Sequence, residues 1–190
     1  MKIIFLTWVA LLAWAAPLNA EPRYTGSASC SCHRMQLGDW ERSLHAKAFN
    51  LLKPGRRKAA KKRAGLKPDV DYSTYPMCYK CHVTGYRSAG GFVSAKETPE
   101  MLGVGCEMCH GKGSEYKNLH KNKGLTFKRD EARALGQTYA TLDAKVCLNC
   151  HDNPKNPFKG KLDKKYKFVL EEALLKTKTF HKRYPLTGQH

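Results

Sequence analysis

Apolar and polar positions divide the chain into one short apolar segment and a long, mostly polar remainder. Residues 3–16 are almost wholly apolar and follow the positive start Met1-Lys2. Residues 39–49 contain no glycine or proline and consist of good helix formers, so we expect a helix there. A second helix is expected from Lys164 to Lys182, with an apolar side made by four residues: Phe168, Leu170, Leu174 and Leu175. Because only 42% of the residues are hydrophobic, we expect a thin protein core.

The apolar segment at the start is typical of a signal peptide. It is followed by Pro17-Leu18-Asn19-Ala20, which ends in the small residue that signal peptidase prefers. An uncleaved membrane anchor is the alternative, but about 14 apolar residues fall short of the roughly 20 that span a bilayer. We therefore expect cleavage after Ala20, which leaves residues 21–190 as one exported, periplasmic domain.

Lysine and arginine give the chain a formal net charge of +18. Exported proteins rarely meet nucleic acid, and the basic residues form no aromatic-interleaved motif of a known nucleic-acid fold. We expect redox protein partners with acidic docking surfaces, or an anionic membrane surface. The densest positive stretch contains no acidic residue and is either a solvated face or a docking patch that attracts a partner. It comprises Lys53, Arg56, Arg57, Lys58, Lys61, Lys62, Arg63 and Lys67.

The eight cysteines form four close pairs, and a histidine directly follows each pair. Disulfides or zinc give no reason for a histidine after every pair, and a redox pair would occur once, near a strand–helix pattern. Two thiols a turn apart can each bond one vinyl group of a haem while the next side chain reaches the iron. The motifs therefore predict covalent haem c and four proximal histidines. They are Cys30-Ser-Cys32-His33, Cys78-Tyr-Lys-Cys81-His82, Cys106-Glu-Met-Cys109-His110 and Cys147-Leu-Asn-Cys150-His151.

The first motif differs from the others because one residue, not two, separates its cysteines. Three outcomes are open: both thiols bond a haem in strained geometry, one bonds and the other stays free, or the site is empty. We favour a haem there, because the surrounding sequence otherwise behaves like the other sites.

The remaining four histidines are candidates for the sixth iron ligand. His45 lies in the predicted helix 39–49, His120 lies in a lysine-rich segment, and His181 lies near the end of the last predicted helix. We expect these three as distal ligands and leave the terminal His190 unassigned, because chain ends fray. Three distal ligands for four irons would leave one haem five-coordinate. Methionine is a minority alternative, since every candidate lies within or close to a haem motif: Met35, Met77, Met101 and Met108.

Four stretches of the chain resemble the tetrahaem cytochrome c-554 family of ammonia-oxidising bacteria, and the resemblance covers nearly the whole mature chain. They are Ser43-Leu-His-Ala-Lys-Ala48, Cys81-His-Val-Thr-Gly-Tyr86 leading into Gly90-Gly91, Gly103-Val-Gly-Cys-Glu-Met-Cys-His-Gly111, and the segment around His181. The resemblance implies a mainly α multihaem cytochrome c with little β structure, its core built around four covalently bound haems.

The resemblance also implies a ligand arrangement. The five-coordinate, high-spin iron would belong to His82, and the paired ligands would be His33 with His120, His110 with His45, and His151 with His181. Two departures limit this transfer. The family has the full spacing at the first motif, and it carries a longer loop after His151, which contributes to the distal side of the open haem.

The motifs and the resemblance together predict an electron carrier without catalytic side chains. We expect it to receive electrons from a multihaem oxidoreductase of the hydroxylamine-oxidising type and to pass them to a downstream cytochrome or membrane acceptor. The alternative is an enzyme that reduces nitric oxide or another small nitrogen oxide at the iron on His82. A structural or metal-storage protein would leave the haem motifs without a role.

Overall fold

The structure is a computed structural model that describes residues 21–124, 126–139, 143, 145–161 and 167–180. Within these ranges the chain is helical, and its β pairing consists of two isolated bridges, Val83 with Leu102 and Gly111 with Gln137. The prediction of a mainly α fold is confirmed. The predicted signal peptide, residues 1–20, lies outside the described residues, as do His181 and His190. None of the described helices is long and apolar enough to cross a membrane.

The helices are short and are joined by turns. The α-helices are α1 (Arg34–Arg42), α2 (Lys58–Arg63), α3 (Pro76–His82), α4 (Glu107–His110), α5 (Gly113–Lys123), α6 (Arg129–Ala134), α7 (Lys145–His151) and α8 (Leu170–Phe180). The 3-10 helices are Ser27–His33, Phe49–Leu52, Tyr72–Thr74 and Pro99–Met101.

The boundaries of the helices near the haem motifs follow from local sequence. Helix α3 begins at Pro76, whose fixed φ suits a first turn and whose missing N–H is not needed there. Helix α4 ends after one turn because Gly111 follows it with φ 83°, a conformation that favours glycine. Asp71 caps the 3-10 helix Tyr72–Thr74 by accepting a hydrogen bond from Ser73 N–H at 2.9 Å.

Two predicted helices differ from the observed ones. The prediction of a helix over 39–49 is confirmed only for residues 39–42, since α1 ends at Arg42 and Ser43 is extended with ψ 164°. The Ser43 hydroxyl accepts a hydrogen bond from Ala46 N–H at 3.1 Å, and this local bond competes with the helix and turns the chain. The last helix begins at Leu170 and not at Lys164, and the residues directly before it, 167–169, are not helical.

The protein core is thin, as expected. In the described ranges one cluster of buried apolar side chains contains Phe49, Leu52, Val83, Phe92 and Met101. Phe92 lies between two other rings, with ring centroids 6.1 Å from Phe49 and 4.9 Å from Tyr79. Because Cys78 and Tyr79 also pack against this cluster, the apolar core of the protein supports the second haem motif.

The first described residues connect the region of the second motif to that of the third. Tyr24 N–H donates to the Ala89 carbonyl at 2.9 Å, and Arg23 N–H donates to Ser114 Oγ at 2.8 Å. Gly85, with φ 67°, lies against Tyr24 so closely that an added Cβ would overlap its ring. Glycine at this position therefore permits the contact between the two segments.

Candidate haem site

Three of the four motifs lie on α-helices, where the two-residue spacer places both thiols on one face. The second motif is the end of α3, the third is α4 with Cys106 directly before it, and the fourth is the end of α7. Residues three apart are neighbours on a helix surface, so each pair of thiols can approach one haem from the same side. None of the eight cysteines is in a disulfide.

The first motif has a different geometry. It occupies the 3-10 helix Ser27–His33, which is interrupted at Cys30 (φ −92°, ψ 18°). Residues two apart on a helix do not share a face. Cys30 is half-buried, whereas Cys32 is the one exposed cysteine of the eight. The single-residue spacer therefore separates the two thiols that the other motifs bring together.

One large cavity contains all four motifs. Its volume is about 2,180 Å³, whereas a pocket for a single small ligand usually has about 300–1,000 Å³. All eight cysteines and the six described histidines line it. Apolar side chains such as Trp40, Leu52 and Phe168 supply much of the remaining wall, which suits several large flat cofactors. In contrast, among the described residues no three His, Cys, Asp or Glu side chains converge as they would around a zinc ion.

Contacts between cysteines of different motifs place the motifs in a row. Cys106 N–H donates to Ser27 Oγ in the helix of the first motif at 3.2 Å, and the Cys150 thiol donates to the Lys80 carbonyl in the second motif at 3.7 Å. Cys30 lies close enough to Cys106, and Cys150 close enough to Cys81, to lower the pKa of Cys106 and that of Cys81 to about 7. Burial raises the pKa of Cys109 to about 11, and nearby Cys147 adds to that rise. The first motif thus contacts the third, the third approaches the fourth, and the fourth contacts the second. The order along the row is first, third, fourth, second.

Two pairs of histidine rings face each other across the cavity. The ring centroids of His33 and His120 are 6.0 Å apart with an interplanar angle of 78°, and those of His45 and His151 are 6.2 Å apart at 64°. Metal–imidazole bonds of about 2 Å place the centroids of two rings on opposite sides of one metal roughly 6 Å apart. Both spacings therefore suit a bis-histidine iron.

The expected pairing of His110 with His45 was wrong. The structure places the His45 ring opposite His151. His45 is therefore a candidate distal ligand for the fourth motif, and not for the third motif as expected. His181, which was expected opposite His151, lies outside the described residues. The pairing of His33 with His120 coincides with the observed contact.

The His45 turn is held in place by backbone contacts with the segment before the third motif. Val104 N–H donates to the His45 carbonyl at 2.9 Å, and Trp40 Nε1–H donates to the Val104 carbonyl at 2.8 Å. A Cβ on Gly103 would collide with the Ala46 carbonyl, so only glycine lets the two segments approach this closely. Burial lowers the pKa of His45, which favours the neutral imidazole that a metal requires.

His82 is oriented by the main chain. Its Nδ1 lies 2.7 Å from the Ala48 carbonyl, so the proton belongs on Nδ1 and Nε2 remains for a metal. Burial lowers the pKa of His82, although the hydrogen bond with Ala48 opposes this effect. Neither described distal candidate faces His82, because His45 lies against His151 and His120 against His33.

Two of the four methionines have structural partners. Met101 is buried in the apolar core, and Met108 Sδ accepts a hydrogen bond from Gly85 N–H at 3.4 Å. The side chains of Met35 and Met77 are exposed.

Sequence reasoning missed two buried ions beside the motifs. Glu107, between the cysteines of the third motif, is 1% exposed, and Lys61 is 3% exposed. The sequence contained one indication of the buried Glu107, namely that it is an acidic residue inside a haem motif. Lys61 had none, since the adjacent Lys62 is exposed and the surrounding sequence is uniformly basic.

The basic stretch is not one uniform surface. Lys53 and Lys58 form ion pairs with Asp71 at 3.6 Å and Asp69 at 3.5 Å, and Lys61 is buried. The five other cations of the stretch are all exposed, and we call them the cationic patch. It comprises Arg56, Arg57, Lys62, Arg63 and Lys67.

Comparison with known proteins gives three matches to one family. Residues 29–111 match the family model described as cytochrome c554 and c-prime. The chain is 34% identical to cytochrome c-554 of Nitrosomonas europaea, over 90% of this chain and 80% of that protein. It is also similar to the structure of reduced cytochrome c554 from Nitrosomonas europaea, with a TM-score of 0.64 and 31% identity over 90% of this chain and 86% of that chain.

Proposed function

Because the chain belongs to the cytochrome c-554 family and is a multihaem c-type electron carrier, we propose that it connects a multihaem oxidoreductase of the hydroxylamine-oxidising type to a downstream cytochrome or membrane acceptor. The covalently bound haems supply the electron-transfer chemistry. The observation that carries this proposal is the single cavity lined by all eight cysteines, in which the four motifs follow one another in a row. A row of sites suits transport between two partners better than storage at one position.

The proposed binding residues are the cysteine pairs and histidines of the four motifs. Seven cysteines are half-buried on the cavity wall, and the His33 and His151 rings each have another histidine ring nearby, at 6.0 and 6.2 Å between centroids. By elimination, we assign His110 and His181 to the remaining bis-histidine iron, and His82 to a five-coordinate one. Met101 and Met108 do not compete for these positions, since both have other partners.

At the first motif we propose a haem held by one thioether. The separation of Cys30 from Cys32 opposes simultaneous bonding to two vinyl groups of one ring. Alkylation of the denatured holoprotein without reductant should label one cysteine, and mass spectrometry of peptides would identify it. Two labels together with three haems would mean an empty site, whereas no label would mean that both thiols are bonded.

We propose that the mature protein works in the periplasm after cleavage at Ala20 and that the cationic patch docks an acidic partner. The exposed cations on and near α2 support this, because Arg57 and Arg63 also line the haem cavity and so join the surface to the cofactors. An anionic membrane surface is the competing occupant. Binding to anionic vesicles without acceleration by an acidic acceptor protein would favour the membrane.

Stopped-flow mixing tests the carrier role. The protein should be reduced by the hydroxylamine-oxidising enzyme during turnover and reoxidised by an acceptor cytochrome, with both rates falling as salt is added. Reduction no faster than by hydroxylamine alone would contradict the role.

A second candidate function is reduction of nitric oxide at the iron on His82. The observation that favours it is the ligand arrangement, because both described distal candidates face other motifs. Rapid mixing of the reduced protein with nitric oxide should oxidise it faster than a bis-histidine cytochrome of similar potential. Equal rates, or an entirely low-spin spectrum of the oxidised protein, would leave only the carrier.

A further inference from the structure

We propose that two buried charges of opposite sign set the direction of electron flow along the row of haems. Glu107 lies at the end formed by the first and third motifs, and Lys61 lies at the end formed by the second motif. The anion opposes reduction of its neighbours and the cation favours reduction of its own, so electrons run from the His33 and His110 end towards His82. This inference rests on the proposed electron-carrier function.

The hydrogen-bond partners of Glu107 favour its ionised form. Its carboxylate accepts hydrogen bonds from the backbone N–H groups of Thr25 at 3.0 Å, Gly26 at 2.8 Å and Gly113 at 2.7 Å. The Thr25 hydroxyl adds a fourth donor at 3.2 Å. All of these partners are donors, and an ionised carboxylate is an acceptor only, so the site matches the charged form.

The position of Glu107 lets it act on two haems. It lies between Cys106 and Cys109, and the segment that donates to it leads directly into the helix of the first motif. Its charge also reaches the thiols of Cys30 and Cys106. Both attachment sites at this end of the row are therefore under the field of one buried anion.

Lys61 is held close to the second motif by main-chain oxygens. Its Nζ donates to the carbonyls of Lys53 at 2.8 Å and Leu52 at 3.4 Å, and it lies 5.3 Å from the centroid of the Tyr72 ring. Ala48, whose carbonyl holds His82, is four residues from Leu52. At a rise of about 2 Å per residue this separation is roughly 8 Å, so the ammonium lies on the order of 10 Å from the His82 ring.

Both charges are strong enough to affect the redox equilibria. At such distances Coulomb's law with an effective dielectric of about 20 changes the ratio of reduced to oxidised iron about tenfold, which is about 59 mV for one electron. The exposed cations contribute less, because water and salt screen them. The cationic patch lies on and near α2, which carries Lys61, so the acceptor would dock at the end of the row where electrons collect.

Redox titration of the holoprotein followed by visible absorption tests the proposal. In Lys61→Met the wave of highest potential should move down by about 59 mV, and in Glu107→Gln the waves of lowest potential should move up by a similar amount. The matched controls Lys62→Met and Glu100→Gln change the same charges at exposed positions and should leave the waves in place. If Glu107→Gln does not mature, the Lys61→Met result decides alone.

The outcomes separate this inference from the proposed function. Waves that move no more than in the exposed controls, or that move in the opposite direction, would overturn the assignment of direction. A protein that still contains its haems and still exchanges electrons with its partners would meanwhile keep its function as a carrier. A protein without haem would instead overturn the function itself.

Discussion

The two ends of the haem row both attach haem through cysteine but differ in their histidine contacts and in their buried charges. At the first and third motifs His33 faces His120, and Glu107 places a buried anion between the attachment sites. At the second motif His82 bonds the Ala48 carbonyl, the apolar core packs beside it, and Lys61 places a buried cation nearby. The comparison teaches that the motifs themselves specify only where haem attaches. Residues outside them decide which iron is open and which is easier to reduce.

The largest expected effect comes from removing a distal ligand. His120→Ala should convert the iron on His33 from low-spin to high-spin, and His45→Ala should do the same to the iron on His151. Neither should alter the iron on His82, because neither residue faces it. Electron paramagnetic resonance of the oxidised protein measures both changes, with His190→Ala as the matched control that leaves the spectrum unchanged. An unaltered low-spin signal in His45→Ala would refute its assignment.

Loss of the Glu107 carboxylate should strongly destabilise the part of the protein that carries the first and third motifs. Glu107→Ala leaves three buried N–H groups without their acceptor, which should lower the free energy of unfolding by about 3–5 kcal/mol. Urea unfolding of the oxidised holoprotein measures this loss. Glu100 is exposed, so the control Glu100→Ala should stay within about 0.5 kcal/mol of the unaltered protein. Equal stabilities would show that the hydrogen bonds do not join the first motif to the third.

Charge reversal of the cationic patch should affect only the end at His82. Arg56→Glu combined with Lys62→Glu should slow association with an acidic acceptor about tenfold at low salt and flatten the salt dependence. Lys96→Glu combined with Lys161→Glu makes the same charge change at exposed positions outside the haem cavity and should alter the rate by no more than about twofold. Stopped-flow oxidation measures both pairs, and equal slowing would mean that net charge, not the patch, governs docking.

The smallest effect is expected at the connection between the two ends. The Thr84 hydroxyl donates to the Gly103 carbonyl at 2.9 Å and accepts from Gly105 N–H at 2.8 Å, so it joins the end of the second motif to the start of the third. Thr84→Val removes both hydrogen bonds and should lower the free energy of unfolding by about 1–3 kcal/mol. Thr74 has an exposed hydroxyl, so Thr74→Val is the control and should change the free energy of unfolding by no more than about 0.5 kcal/mol. Thermal unfolding of the two variants measures the difference.

The sequence predicted the attachment residues well because covalent chemistry fixes their spacing. Cysteine pairs followed by histidine identify haem sites without any knowledge of the fold, and helices carry three of the four. The pairing of His45 with His151 could not be derived in this way, since it depends on where a turn anchored by Val104 places the ring. The helix predicted over 39–49 ends at Arg42, because the Ser43 hydroxyl accepts the hydrogen bond of Ala46 N–H and turns the chain.

Charge was the least predictable property. Lys61 and Lys62 are equivalent in the sequence, yet one is buried beside Tyr72 and the other is exposed. Likewise, Asp69 and Asp71 fold back onto two lysines of a stretch that contains no acidic residue of its own. Tertiary contacts decide which charges act on the cofactors and which remain for a partner.

The central claim is that the four motifs each bind haem covalently in the one cavity, and the mass of the intact, purified mature protein tests it most directly. The account predicts the mass of residues 21–190 plus four haem groups. A mass equal to the bare polypeptide after expression with a working cytochrome maturation system would contradict it.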